Sequence, residues 1–270
     1  MRGKERLDVL LHSRGIFPSR ERARSAIMAG IVFVRGQMVD KPGTRVDPEA
    51  PVVVRGAGLP YVSRGGLKLE RALRRFGIDL TGRVVLDVGA STGGFTDCAL
   101  RHGAARVYAV DVGYGQLDWN LRRDPRVVVL ERTNIRQLTP EVLGAAPDFF
   151  TVDVSFISLK LVLPRVDGLT AAGAAGVVLI KPQFEAGREQ VGRKGVVRDP
   201  QVHSQVLFAV LQASCALGWG LKGLTPSPVR GPEGNIEFLA YLQKGVPHAV
   251  DPEALIPQVV AEAHDRVYDK

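Results

Sequence analysis

The apolar run Val84-Val85-Leu86-Asp87-Val88 leads straight into Gly89-Ala90-Ser91-Thr92-Gly93-Gly94 and then Phe95-Thr96-Asp97. This order reads as a buried strand, a glycine-rich turn and the start of a helix. Such a turn lets backbone amides approach a ligand with no side chain in the way. The next apolar run, Arg106-Val107-Tyr108-Ala109-Val110, ends in Asp111, where an acid can hold the two hydroxyls of a nucleoside ribose. The pattern predicts an adenosine-type cofactor. The phosphate-loop spacing Gly-x-x-x-x-Gly-Lys-Ser/Thr is absent. A dinucleotide turn wants glycine where Ser91 stands, and no Tyr-x-x-x-Lys pair serves hydride chemistry. S-adenosylmethionine carries no phosphate, tolerates a looser turn and still needs an acid for its ribose.

Four further polar residues sit beside apolar runs. Asp153 follows Phe149-Phe150-Thr151-Val152, and Lys181 follows Val177-Val178-Leu179-Ile180. Glu237 lies in Gly234-Asn235-Ile236-Glu237-Phe238, and Lys68 follows Ser63-Arg64-Gly65-Gly66-Leu67. In an open parallel sheet the carboxyl ends of the strands form the ligand crevice, so Asp153 and Lys181 should face the glycine turn. A lysine directly after four buried apolar residues is costly unless paired or functional. Asp153 with Lys181 could be a structural ion pair, Lys68 a helix-surface lysine and Glu237 a strand-surface residue.

The elements that must position these groups alternate along residues 60–244. Strands are predicted at 83–88, 106–111, 126–130, 148–153 and 176–181, and helices at 64–76, 94–102, 115–123, 156–164 and 200–217. This alternation implies an α/β fold with a mostly parallel sheet covered on both faces. Residues 236–242 add an antiparallel strand near an edge, and 252–267 form a terminal amphipathic helix.

The first residues differ in character. Residues 1–55 hold eleven Lys/Arg against six Asp/Glu, most of the chain's net charge of +8. That charge, with a pI near 9.8, favours a polyanionic partner, nucleic acid first. Leu7, Val9, Leu10 and Leu11 suit a short helix ending near Gly15. Ser19 suits the N-cap of a second helix, which Gly30 stops. Val32-Phe33-Val34 and Gln37-Met38-Val39 flank Arg35-Gly36, a hairpin pattern. Arg55-Gly56-Ala57-Gly58-Leu59-Pro60 reads as a linker. Cys98 and Cys215, the two cysteines, give neither a disulfide framework nor zinc spacing, and no metal is expected. Reduced cysteines, a charged stretch at 1–30 in place of a signal peptide and no membrane-length apolar run point to the cytoplasm.

Residues 4–50 resemble the small RNA-binding domain named after a ribosomal small-subunit protein, the alpha-L motif. The matching residues are Arg6-Leu7-Asp8, Gly15, Ser19-Arg20, Ala23, Ile27, Gly30, Val32, Val34, Gly36 and Lys41-Pro42-Gly43. The resemblance implies contacts to structured RNA from Arg6, Arg20, Arg24 and Lys41, against the alternative of a solvated face. A basic loop after the fifth strand holds Arg188, Arg193, Lys194 and Arg198. It either closes over RNA or is a plain surface loop.

The motifs around Lys68, the glycine turn, Asp153-Val154-Ser155-Phe156-Ile157-Ser158, Lys181-Pro182-Gln183-Phe184-Glu185 and Glu237 resemble the FtsJ-like ribose methyltransferases. With the RNA-binding domain in front, the chain resembles the TlyA family of rRNA 2′-O-methyltransferases, some of which carry the name hemolysin. The resemblance implies a Rossmann-like methyltransferase unit at 64–270, a linker at 59–63 and an RNA-binding unit at 1–58. It implies S-adenosylmethionine as cofactor, held by Gly89, Ser91, Gly93, Phe95, Asp111 and Asn134, with Asp87 ordering the turn through backbone hydrogen bonds. Ribosomal RNA or ribosomal subunits, with cytidine as target, are the implied partners. The implied tetrad is Lys68, Asp153, Lys181 and Glu237. Lys181 would be the base, provided burial and the Lys68 cation favour its neutral form. Asp153 would orient Lys181, and Glu237 would position Lys68 or the ribose. The family tends to carry Trp-Val where this chain has Tyr61-Val62. Competing readings are a membrane-active hemolysin, a noncatalytic RNA-binding module and a base methyltransferase.

Overall fold

The computed structural model describes residues 4–54, 60–192 and 194–265. The chain opens with β1 (Glu5–Arg6), α1 (Leu7–Ser13), α2 (Arg20–Met28), β2 (Val32–Val34), β3 (Gln37–Met38), β4 (Arg45–Val46) and β5 (Val52–Val54). Strands β3-β2-β5 form one antiparallel sheet, and β1 pairs with β4. The expected cap is present: Ser19 Oγ accepts from the Arg22 amide at 3.2 Å. Arg35 and Gly36 both take positive φ, the geometry a two-residue hairpin requires. Leu7, Leu10, Leu11, Ala23, Ile27 and Val32 meet in a core of their own.

The remainder runs α3 (Gly65–Phe76), β6 (Val84–Val88), α4 (Gly94–Arg101), β7 (Arg106–Val110), α5 (Trp119–Arg123), β8 (Val127–Leu130), β9 (Phe149–Val152), α6 (Leu159–Leu169), β10 (Ala175–Ile180), α7 (Pro182–Glu185), α8 (Pro200–Ala216), β11 (Trp219–Pro226), β12 (Phe238–Lys244) and α9 (Pro252–Asp265). One seven-stranded sheet has the order β11-β12-β10-β9-β6-β7-β8. Strands β6 to β10 are parallel, and β12 runs antiparallel between β10 and β11. Alternation along the strands sends Leu86, Val88 and Val178 into a core with α6, α8 and α9. It sends Val85, Val107 and Val177 into a second core with α3 and α4. The α/β fold with a mostly parallel, doubly covered sheet is therefore the one expected.

Two expected helices start later than predicted, and one long strand of the large sheet was not expected. The helix placed at 156–164 is Leu159–Leu169, because Ser158 caps it and Phe156 takes φ +64°, outside any helix. The helix placed at 115–123 begins at Trp119, capped by Asp118, with Gly115 at positive φ before it. Strand β11 had no counterpart in the sequence reading. Its run Trp219-Gly220-Leu221-Lys222-Gly223-Leu224-Thr225-Pro226 carries two glycines and a proline, residues that weaken strand patterns. Gly223 is there because the Phe76 ring lies 2.5 Å from where its Cβ would stand.

Candidate active site

Sheet topology builds the site. Strand order reverses between β6 and β9, so the crevice opens beside the carboxyl ends of those two strands. Val88 pairs with Val152, and the Asp153 amide donates to the Val88 carbonyl at 2.9 Å. The turn after β6 and Asp153 after β9 are thereby neighbours. Gly89 takes φ +85°, and a Cβ on it would lie 2.3 Å from the Asp153 carbonyl oxygen. Only glycine meets both demands. Farther along, Ile180 pairs with Phe238, so Lys181 leaving β10 and Glu237 entering β12 meet at the same edge of the crevice.

Lys68 arrives from α3. The start of that helix lies against the start of α4: a Cβ on Gly94 would stand 2.9 Å from the Gly66 amide nitrogen. This close approach brings Lys68 to the strand ends. Its Nζ bonds Glu237 Oε2 at 2.6 Å, and Lys181 Nζ lies 2.5 Å from Asp153 Oδ1. Lys181 also donates to Ser155 Oγ at 3.0 Å. Lys68, Lys181 and Glu237 are buried. Burial disfavours the Lys68 ammonium, but Glu237 and Asp153 outweigh it and hold its pKa above the usual lysine value. Burial likewise pushes Asp153 up, and the two lysines overcome this and hold it below the usual carboxylate range. Glu237 Oε1 is buried with no hydrogen-bond partner. All four sequence-predicted residues thus line one cleft.

The residues expected to hold a cofactor lie around the same turn. Gly89, Ser91 and Phe95 line the cleft, and Gly93 takes φ +94° just before α4. Asp111 accepts from the Ser91 amide at 2.8 Å and the Gly113 amide at 2.7 Å, which ties the turn to the end of β7. Each oxygen keeps a second acceptor position for a ribose hydroxyl. Val112 beside it is 72% exposed, an apolar surface that sequence reasoning missed. Gly93 and Asp111 are not among the residues that line the cleft, and neither is Asn134. Its Oδ1 accepts from the Arg136 amide at 3.0 Å, capping a short helical turn, as a loop asparagine often does.

Asp87 corrects an expectation. Its carboxylate accepts from two side-chain hydroxyls, Thr96 Oγ1 at 2.6 Å and Thr151 Oγ1 at 2.8 Å, rather than from backbone amides. It ties β6 to α4 and β9. Complete burial raises its pKa to about 6, against the pull of both threonines. The proton is therefore held more tightly by the folded chain. The stability this group confers is full below pH 3.8 and is lost as pH rises through about 6. An Asp87→Asn variant removes that titration. Its melting temperature relative to wild type is expected to climb between about pH 4 and pH 7. Parallel thermal melts check this, and a pH-independent difference would refute it.

The predicted RNA-contacting cations lie elsewhere. Arg6 and Arg20 converge on the buried Asp8 carboxylate, at 2.9 and 3.1 Å, with their guanidinium groups half exposed. Arg24 is exposed on α2. Lys41 reaches across to Glu233 at 2.5 Å, which joins the N-terminal elements to the turn before Glu237. Arg188 and Lys194 are exposed, and Arg193 lies outside the described residues. Of the linker placed at 59–63, residue 59 also lies outside them. Tyr61 is buried, with Gly66 against its ring and Arg101 stacked over it at 5.6 Å. It packs within the second core rather than spanning a gap.

Sequence reasoning also missed the roles of Ser155 and Phe156, although both lie in the quoted Asp153-Val154-Ser155-Phe156 motif. Phe156 is 90% exposed and is held in a left-handed conformation. Its ring meets Phe184 at 4.9 Å. Glu185 fixes this turn by accepting from Ser158 Oγ at 2.6 Å and the Leu159 amide at 2.7 Å. A bulky aromatic that is both strained and exposed beside a cleft signals function more than packing.

Comparisons with known proteins agree with this geometry. Residues 61–244 match the FtsJ-like methyltransferase family, and residues 5–52 match the S4 domain. YqxC of Bacillus subtilis, named a candidate rRNA methyltransferase, is 53% identical over 99% of this chain and 96% of its own length. The 16S/23S rRNA (cytidine-2′-O)-methyltransferase TlyA of Mycobacterium tuberculosis is 48% identical over 94% of this chain and 96% of its own. A solved chain from Streptococcus thermophilus, named a candidate hemolysin, superposes with a TM-score of 0.77 at 46% identity, covering 98% of this chain and 97% of that one. This chain belongs to the TlyA/YqxC family, an FtsJ-like methyltransferase preceded by an S4 domain.

Proposed function

We propose that this chain transfers the methyl group of S-adenosylmethionine to the 2′-hydroxyl of a cytidine in ribosomal RNA, in the cytoplasm. The observation that carries the reading is the meeting of Lys68, Asp153, Lys181 and Glu237 in one cleft with the glycine turn. The names of the TlyA relatives supply the base and the RNA class.

The residues fit the cofactor: Gly89, Ala90 and Ser91 line the cleft with small side chains, Asp111 offers acceptors for a ribose, and Val112 beside it offers an exposed apolar side chain. When bound, S-adenosylmethionine supplies a methyl group activated by its sulfonium. The chain's own work is to align a ribose hydroxyl and remove its proton. Lys181 is the base. It must reach that step without its own proton. Asp153 Oδ1 and Ser155 Oγ fix the direction of Lys181 Nζ. Lys68, kept cationic by Glu237, stands at the developing alkoxide. The direct test is transfer of labelled methyl groups to ribosomal subunits from a strain lacking the enzyme, followed by mapping of the modified nucleotide. No 2′-O-methylated nucleotide in either subunit would refute the reading.

Phe156 serves in this reading as a stacking surface for the displaced target base. Base–aromatic stacking contributes about 1–3 kcal/mol. Phe156→Gly is expected to lower kcat/KM for RNA about tenfold or more. Stability should change by no more than about 1 kcal/mol, since relief of the left-handed strain offsets loss of the Phe184 contact. Single-turnover kinetics and thermal melts report the two effects separately.

A relative from Brachyspira hyodysenteriae named Hemolysin A is 42% identical over 87% of this chain. Among the described residues no helix is long and apolar enough to cross a membrane. A noncatalytic RNA-binding role leaves unexplained why two buried lysine–carboxylate pairs share the cleft.

A further inference from the structure

The cleft holds a cation whose partners are unlike those of the tetrad. Lys68 and Lys181 each face an acid, but Arg64 does not. Its NH1 meets the Met38 sulfur at 2.9 Å and its NH2 donates to the Arg230 carbonyl at 3.3 Å. Among the described residues no carboxylate bonds it. Glu237 and Asp40 act on it only through longer-range attraction, and burial weighs against its charge. A thioether is a weak acceptor for a guanidinium, whereas a phosphate accepts two parallel bonds. Room for the side chain is made on the N-terminal side, where a Cβ on Gly30 would stand 3.0 Å from Arg64 Cδ.

Position gives this cation its ligand. Arg64 precedes α3 in helical geometry, φ −59° and ψ −20°, one turn before Lys68. Residues at i and i+4 lie on one helix face, with Cβ atoms about 5–6 Å apart. In RNA the 2′-hydroxyl and the 3′-phosphoester oxygen sit on adjacent ribose carbons. A hydroxyl held near Lys68 therefore carries a phosphate about one group away, toward Arg64. Both side chains line the same cleft.

We propose that Arg64 binds the RNA backbone phosphate next to the ribose that is methylated, exchanging the Met38 thioether of the N-terminal elements for that phosphate. The proposal rests on the ribose-methylation reading above. It makes Met38 a placeholder, and binding of the phosphate releases one contact between the S4 elements and the methyltransferase core.

The test is equilibrium binding of the full-length protein to unmodified ribosomal subunits over about 50–200 mM salt, a range in which phosphate contacts are resolved by their salt dependence. Arg64→Gln and Arg64→Met, the second able to pack against Met38, are expected to weaken binding about tenfold or more at the lowest salt. They should also make the log–log salt slope shallower by about 0.7–0.9, the release expected for one phosphate contact. Arg64→Lys should restore the slope. Cofactor affinity by calorimetry should stay within about twofold in all three, which shows the cleft intact. An unchanged slope in both neutral variants overturns the proposal even if affinity falls, because lost packing does not alter the number of counterions released. Absence of any 2′-O-methylated nucleotide after reaction of the wild-type protein with either subunit sinks the underlying reading and leaves the slope result standing, so the two failures are told apart.

Discussion

Replacing Lys181 with arginine is expected to lower methyl transfer about 10²–10⁴-fold, the range a positioned general base contributes. Arginine keeps a positive charge within reach of Asp153, so the electrostatic content of that pair survives. It cannot give up its proton in a protein, so it cannot serve as a base. Cofactor affinity should be nearly unchanged, because the turn at Gly89 is held by the Asp153 backbone rather than by its pairing with Lys181. Lys181→Met should lose as much activity and also stability, since it leaves the Asp153 carboxylate without its 2.5 Å partner. Single-turnover transfer at saturating cofactor, with calorimetry on both variants, separates these effects. Substantial activity in Lys181→Arg would mean that the group acts by its charge alone, and the base assignment would fall.

The positions of these groups were legible because each interrupts a pattern. Asp153 and Lys181 end apolar runs that can only be buried strands, and a doubly covered parallel sheet brings such ends together. Glu237 was placed by the resemblance of its motif to the FtsJ-like pattern, and the structure supplies the reason: the strand after it pairs antiparallel with β10, whose end then coincides with its start. Local patterns also marked the S4 hairpin and the α2 cap, through Arg35-Gly36 and Ser19.

What stayed hidden depends on contacts between distant segments. Strand β11 is held by β12 on one edge and by packing of Gly223 on Phe76, and its own residues read as a loop. The Thr96 and Thr151 hydroxyls around Asp87 come from different elements, so the turn looked as though it must be ordered by local amides. Lys41 pairs with Glu233, far along the chain, and no spacing within either segment announces it. Arg64 was quoted within its motif, yet its lack of an acidic partner is visible only when Met38 and Arg230 are seen beside it.

Whether Lys68 and Glu237 form a structural strut or working machinery can be settled by removing one and then both. Glu237 is fully buried, its Oε2 is 2.6 Å from Lys68 Nζ, and its Oε1 has no partner. Glu237→Leu alone strands an ammonium in the protein interior and is expected to lose about 3–5 kcal/mol of stability. The double variant Lys68→Met/Glu237→Leu leaves no buried charge at that place. Its stability should return to within about 1–2 kcal/mol of wild type or exceed it, because well-packed apolar residues often replace a buried ion pair without loss. Activity should behave in the opposite way. The double variant regains the fold but not the cation at the developing alkoxide, so transfer should stay down by about 10²-fold or more, as for loss of a preorganised donor. Denaturant unfolding and methyl transfer on the same preparations give the two readouts. If activity recovered along with stability, the pair would be a strut, and the work assigned to Lys68 would have to pass to other groups in the cleft.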